Sequence, residues 1–314
     1  MQCWEAVVRE FNMTPGEGTC IAVLNTAARH GIPDLATDAL RVLEVIGVPW
    51  EEYHFAALIE AFTRNGQLRE ALQTLGIMHT HDIVPLPETA SSITDALKDT
   101  EAVDATWAII DELRDSGAQI DSTAITALIK ASVRLDDLQR AIGAYKSLVD
   151  YGLCADLPIY NLLLQGCVAA RHRELGNQLL DEMKTAKITP NQETFENFIH
   201  LVLTQKDYED GFFYLEEMKA AGFRPASLVY ETLVEKLYRE KDSRAKIAAE
   251  EMLEQGYRPN VRLQRMMREN DAKIHAQPSS TIPQNRTPLE SSVKRFIETG
   301  GLRGAADLPK EHLD

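Results

Sequence analysis

No stretch of this chain is apolar over the roughly 20 residues needed to cross a bilayer as a helix, so the sequence offers no membrane span. Cysteine is scarce. The four are Cys3, Cys20, Cys154 and Cys167. None sits in a CxxC pair, which removes zinc ribbons and thioredoxin-like redox motifs. Cys20, Cys154 and Cys167 lie in apolar helical or turn contexts and read as small reduced core residues. An excess of positive charge is also missing: the formal net charge is −15 and the pI is near 5.0. That argues against a uniformly basic glove for nucleic acid, but a local basic groove stays open because affinity follows local charge. The opening residues lack the basic region of a secretory signal, and Glu5 and Glu10 speak against a transit peptide.

Catalytic signatures are incomplete wherever they begin. His172-Arg173-Glu174 has the His-x-Glu half of a zinc deaminase, but no Pro-Cys-x-x-Cys half exists. His79-Thr80-His81-Asp82 reads as a polar turn between helices rather than a metal site. Gly300-Gly301-Leu302-Arg303-Gly304 lacks the Lys-Ser/Thr and the preceding strand of a phosphate loop. The expectation is a protein that is not an enzyme and takes no metal, cofactor or small-molecule substrate.

What the chain does have is a beat of 35 residues. Gly47, Gly117, Gly152 and Gly222 keep multiples of it, Gly256 follows one residue early, and Pro190, Pro225 and Pro259 mark nearly the same interval. Glycine there supplies a left-handed helix stop, and proline prevents continuation. Self-similarity at this length predicts an all-α solenoid of helix-turn-helix repeats. Seven units tile as 17–51, 52–86, 87–121, 122–156, 157–191, 192–226 and 227–260. The seventh and eighth residues of each unit are apolar except Thr94, which predicts the buried ridge of a first helix. The twentieth is small in six units (Ala36, Ala71, Thr106, Ala141, Gly176, Gly211), and the twenty-seventh is Leu or Met in the same six. Seven residues is two helical turns, so these two places share one face of a second helix. Residues 1–16 fit the second half of a further unit, with Trp4, Val7 and Val8 as its apolar face, Asn12 at the glycine place and Pro15 at the proline place. The expectation is therefore an array that starts mid-unit, as a piece of a longer protein would. Residues 261–276 read as a closing helix, and 277–314 as a linker and tail with a short helix near 289–298.

At Asp156–Asn191 and Ile188–Pro225 the sequence resembles the pentatricopeptide repeat family. The marks are the aromatic at the fourth place (Phe55, Tyr160, Phe195, Tyr230) and the Asp-Glu-Met or Glu-Glu-Met before the turn. The resemblance covers roughly residues 1–272. It implies a right-handed α-α superhelix, a mitochondrial matrix location, and binding of single-stranded RNA one base per repeat. It further implies that the fifth and last residues of a unit face the base edge. On that basis Ser91 with Asp121, Thr126 with Asp156, and Asn161 with Asn191 are the base-reading candidates. Ile21 with Glu51, Ala56 with Leu86, Glu196 with Ala226, and Glu231 with Asn260 make no recognised pair. The second residue, which would contact the base, is acidic at Glu88 and Glu193. The thirteenth residue, implied to face phosphates, is Arg29, Arg64, Arg134 and Arg239 in four units, and Asp99, Ala169 and Thr204 in the rest. Two readings of these arginines stand: a phosphate ladder, or basic residues near helix C-termini, where the dipole favours them. The resemblance implies a role in transcript stability, processing or translation. The alternative, suggested by the negative charge, is a non-catalytic scaffold with protein partners in an organellar assembly.

Overall fold

The structure, a computed structural model, describes residues 2–10 and 13–276. Asn12, the 277–314 tail with its expected linker and short helix, and the Gly300–Gly304 run lie outside the described residues. Among the described residues there is helix and turn but no strand. The chain divides into two compact units, Met1–Gln205 and Lys206–Asp314.

In the first unit, α1 (Gln2–Glu5) continues into a π turn over Ala6–Glu10. Helical pairs follow: α2 (Glu17–His30) with α3 (Pro33–Val45), α4 (Glu52–Arg64) with α5 (Leu68–Thr80), and α6 (Ser91–Ala96) with α7 (Thr100–Asp115). Next come α8 (Ser122–Arg134) with α9 (Leu138–Ser147), α10 (Leu157–Ala170) with α11 (Arg173–Thr185), and α12 (Gln192–Leu203). The even-numbered helices stack in chain order, α2 on α4, α4 on α6, α6 on α8, α8 on α10 and α10 on α12. Each also packs on its own odd-numbered partner along most of this run. This is the layering of a helical solenoid. The second unit holds α13 (Asp210–Ala220), α14 (Ser227–Glu240), α15 (Ala245–Glu254) and α16 (Val261–Ala276), with α14 against α15 and α16.

Helices of 10 to 16 residues are marginal alone, so the repeated buried positions carry the fold. The ridge pairs Leu58/Ile59, Ile93/Thr94, Leu128/Ile129, Leu163/Leu164, Phe198/Ile199 and Leu233/Val234 are buried, as is Leu24; Val23 is half-buried. Ala36, Ala71, Thr106 and Ala141 are fully buried at the small-residue place. Leu43, Met78, Leu113, Leu148, Met183 and Met218 are buried two turns later. Each such side chain removed from water contributes about 1.5–3 kcal/mol. Trp4 is buried in the cluster formed with α2 and α3, and Val8 packs against it. Leu263 of α16 is buried and Met266 and Met267 are half-buried.

The same leucines and methionines also close the second helices. The backbone N–H of Val48, Ile83, Ala118, Leu153, Ile188 and Phe223 donates to the carbonyl of Leu43, Met78, Leu113, Leu148, Met183 and Met218 respectively. The residue before each donor has positive φ, which makes the turn a Schellman stop. Glycine fills that place at Gly47, Gly117, Gly152 and Gly222, but Asp82 (φ 58°) and Lys187 (φ 57°) hold the same backbone without it. A second left-handed series separates first from second helices: Gly31, Gly66, Asp136 (φ 56°), Arg171 (φ 54°) and Lys241 (φ 57°).

Residues 87–121 depart from this pattern. Helix α6 has only six residues, and α7 begins at Thr100. Asp99, expected at the phosphate-facing place, is instead the N-cap of α7 and accepts from the Ala102 N–H at 2.8 Å. Cys20 and Cys167 are buried, but Cys154 is exposed, contrary to the expectation of a core residue. It lies in the turn between Gly152 and the Asp156 cap, where the chain leaves the core. Burial pushes the Cys167 thiol up to about 12, which keeps it protonated and inert.

Candidate nucleic-acid interface

The last residue of a 35-residue unit precedes the next first helix, and capping chemistry fixes its side chain. Asp156 accepts the Ile159 N–H at 3.1 Å and Asn191 accepts the Thr194 N–H at 2.9 Å. Asn260 accepts the Leu263 N–H at 2.9 Å. Asp121 accepts the Thr123 N–H at 2.7 Å and also the Thr123 hydroxyl. Each is an Asx-type cap satisfying an orphan donor of the helix that follows.

Asn161 and Asn191, thirty residues apart in sequence, meet at 3.1 Å, with the Asn161 Nδ2 donating to the Asn191 Oδ1. The same Nδ2 donates to Glu193 Oε2 at 3.0 Å, and Asn161 Oδ1 accepts from the Thr194 hydroxyl at 2.7 Å. The Asn197 amide donates to the Asn161 carbonyl at 3.3 Å. Asn161 is only 3% exposed. Thus the fifth residue of this unit is held by the first turns of α12 rather than left open. The fifth and last residues also meet in 227–260, where the Asn260 Nδ2 donates to Glu231 Oε2 at 2.5 Å.

The other two candidate pairs are engaged locally. The Thr126 hydroxyl donates to the Ser122 carbonyl at 2.8 Å, and Asp156 is exposed beyond its cap. Ser91 is exposed at the first position of α6. Asp121 is only 8% exposed and meets His79 Nε2 at 2.5 Å, so its carboxylate ties the end of α5 to the start of α8. His79 is thereby a structural partner. His81 packs edge-on against Trp50 at a centroid distance of 4.7 Å. His172, for its part, is the N-cap of α11, with Nδ1 accepting the Leu175 N–H at 3.2 Å.

The four arginines are exposed but not equivalent. Arg29 donates to the Asn25 carbonyl at 3.4 Å. Arg64 pairs with Glu60 at 2.7 Å, and Arg239 pairs with Glu235, both one turn back on the same helix. Such pairs are worth only about 0.3–0.5 kcal/mol and exchange readily for another anion. Arg134 is different. It reaches across to α6, donating to the carbonyls of Thr94 at 2.6 Å and Leu97 at 2.8 Å and pairing with Asp95 at 3.1 Å. It therefore caps the C-terminal end of α6, which has only six residues.

Second helices are stitched by a separate set of charges. Arg140 holds Asp104 in a two-pronged pair at 2.9 Å, and Arg69 pairs with Glu112. Tyr145 donates to Glu182 at 2.5 Å, and Tyr151 to Asp111 at 2.7 Å. Burial, together with the bond to Asp111, raises the Tyr151 hydroxyl to about 12. In the second compact unit Arg244 grips Glu209 and Asp242, and its hydrogen bonds hold the Asp242 carboxyl below the usual range.

Residues 17–148 match the family model described as pentatricopeptide repeat-containing protein, and residues 125–259 match the pentacotripeptide-repeat region of PRORP. The chain belongs to the pentatricopeptide repeat family. A pentatricopeptide repeat-containing protein of Arabidopsis thaliana is 27% identical over 128 residues, covering 40% of this chain and 22% of that protein. A second from the same plant, named mitochondrial, is 25% identical over 169 residues, covering 54% of this chain and 20% of that protein. The matches thus span about a fifth of the length of these curated relatives. Among solved structures, the pentatricopeptide repeat protein PPR10 in complex with an 18-nt psaJ RNA element superposes with a TM-score of 0.52 at 19% identity, over 84% of this chain and 39% of that one. That likeness shows the shared solenoid fold.

Three features of the interface escaped sequence reading. The Glu193–Asn161 bond joins positions 32 apart, and only the stacking of α12 on α10 brings them together. The Arg134 cap depends on the shortness of α6. The Thr194 contacts carried a signal: Asn191-Gln192-Glu193-Thr194 has the spacing of a capping box, in which the Asn191 N–H donates back to Thr194 Oγ1 at 3.2 Å.

Proposed function

We propose that this chain binds single-stranded RNA along the exposed face of its even-numbered helices, within a mitochondrial protein acting in transcript stability, processing or translation. The observation that carries this reading is the meeting of the fifth and last residues, Asn161 with Asn191 and Glu231 with Asn260. Each pair brings two hydrogen-bonding groups together at one place in its unit, the arrangement that one-base-per-repeat recognition uses. Exposed Arg29, Arg64 and Arg239 supply exchangeable cations on the same helices. Membership of the family, and the RNA held by PPR10, support the reading. So does the mitochondrial name of a relative, for the location. The role is binding, with no catalytic step assigned to any described residue.

Binding of the purified chain to short single-stranded RNA at several salt concentrations tests this. The expected result is affinity that falls as salt rises and drops further in Thr126→Ala/Asn161→Ala. Affinity that is absent, or unchanged by both substitutions, rejects base readout. The competing reading is a protein-binding scaffold, favoured by the carboxylates that already pair with Arg64, Arg134 and Arg239. Stoichiometric protein partners that persist after nuclease treatment would establish it.

A further inference from the structure

We infer that Glu193 is an intramolecular competitor for the base, closing the reading edge of Asn161 in the free protein. The inference rests on the RNA-binding reading. Its ground is the use of both donors of one side chain. Asn161 has two amide hydrogens, and both are taken, one by Asn191 Oδ1 and one by Glu193 Oε2. Its oxygen is taken by the Thr194 hydroxyl. The orientation is forced: turning the amide over would set its oxygen against two other oxygens. Asn191 cannot turn either, because its Oδ1 is the acceptor for the Thr194 N–H.

A base reaching Asn161 must therefore displace a partner. Asn191 is locked as a helix cap and Thr194 is buried, so neither can move without disturbing α12. Glu193 is exposed, and its bond to Asn161 is the one that solvent can replace. The base group that would take its place is an acceptor, such as a ring nitrogen or carbonyl. The carboxylate also repels the incoming phosphates, so it opposes RNA by occupancy and by charge. In 227–260 the fifth residue is itself a carboxylate, Glu231, bonded to Asn260, so the arrangement at Asn161 is not repeated there. Glu193 is thus a specificity-determining residue acting through Asn161.

The test is affinity for short single-stranded oligo(C) and oligo(U), whose bases carry carbonyl acceptors, using the full chain. Wild type, Glu193→Val, Glu193→Gln, Asn161→Ala and Glu193→Val/Asn161→Ala are compared. Glu193 caps no helix by its side chain, and circular dichroism checks that each variant is folded. Glu193→Val is expected to bind about tenfold tighter, the loss of one charged hydrogen bond's competition. Glu193→Gln, which keeps an acceptor but no charge, should gain less. The gain must vanish in the Asn161→Ala background. Wild-type binding with no gain in Glu193→Val overturns the inference alone. So does a gain that survives Asn161→Ala, which would mean general charge repulsion. Binding by neither wild type nor Glu193→Val at low salt rejects the RNA reading and the inference with it.

Discussion

Gly176 of α11 lies so close to Leu201 of α12 that a Cβ on the glycine would stand 2.3 Å from the Leu201 Cδ2. Leu201 is fully buried and cannot swing away. An alanine in a helix interior ordinarily gains up to about 1 kcal/mol over glycine. Here overpacking should outweigh that gain, so Gly176→Ala is expected to destabilise by about 1–2 kcal/mol. Gly18, with open space around its Cα, is the control. Gly18→Ala should leave the denaturation midpoint unchanged or raise it. Chemical denaturation of both variants decides the matter.

The left-handed turns make the opposite prediction. Asp136, Arg171, Lys187 and Lys241 hold φ between 54° and 57°, where a side chain is strained by about 1–2 kcal/mol. Part of that is offset by the greater unfolded-state freedom of glycine. Glycine at each of the four should therefore raise stability by about 0.5–1 kcal/mol. Loss of stability in any of them would mean that its side chain has an attractive role outweighing the strain.

These same turns show what the sequence hides. The beat of Gly47, Gly117, Gly152 and Gly222 is legible because glycine advertises its backbone. Asp82 and Lys187 complete that series, and Asp136, Arg171 and Lys241 most of a second one, yet nothing in their chemistry signals it. The buried ridges and the Leu or Met places were readable because burial selects residue type at fixed spacing. The interface was only half readable. The family resemblance pairs Asn161 with Asn191, but does not reveal the bonds that use both hydrogens of the Asn161 amide. The 87–121 region resisted because Asp99 caps a helix that starts early.

Arg134 is held in the fold more firmly than Arg64 and Arg239, the arginines proposed to meet phosphates. Arg134→Ala frees the carbonyls of Thr94 and Leu97 at the end of α6 and should cost about 1–2 kcal/mol of stability. Arg64→Ala and Arg239→Ala break exposed same-helix pairs and should change stability by less than about 0.5 kcal/mol. In RNA binding the ranking reverses. The latter two should flatten the salt dependence, each by about one unit of slope. Thermal melts and salt titrations of the three variants check both halves.

Acid should weaken the fold through two histidines. Burial lowers the pKa of His54 and of His200 below 6.5, and in each case nearby carboxylates only partly oppose it. His54 Nδ1 accepts from the Glu51 N–H, and its buried Nε2 has no partner. The unfolded chain protonates first as pH falls through 6.5, so stability is full above that value and declines below it, until the folded-state pKa is passed. The midpoint of unfolding should fall between pH ~7 and ~5.5, and His54→Gln with His200→Gln should flatten that decline. An unchanged slope in the double variant would assign the acid response to other groups.

The proposal is that RNA lies against α8, α10 and α12, over the N-caps Asp156 and Asn191 and over Asn161 within α10. Photocrosslinking of the purified chain to 4-thiouridine-labelled single-stranded RNA, with the attached peptides identified by mass spectrometry, tests it most directly. The account predicts crosslinks in peptides spanning 122–134, 156–170 and 191–203, lost when salt rises. Crosslinks confined to the odd-numbered helices α9 and α11, or none at low salt, would contradict it.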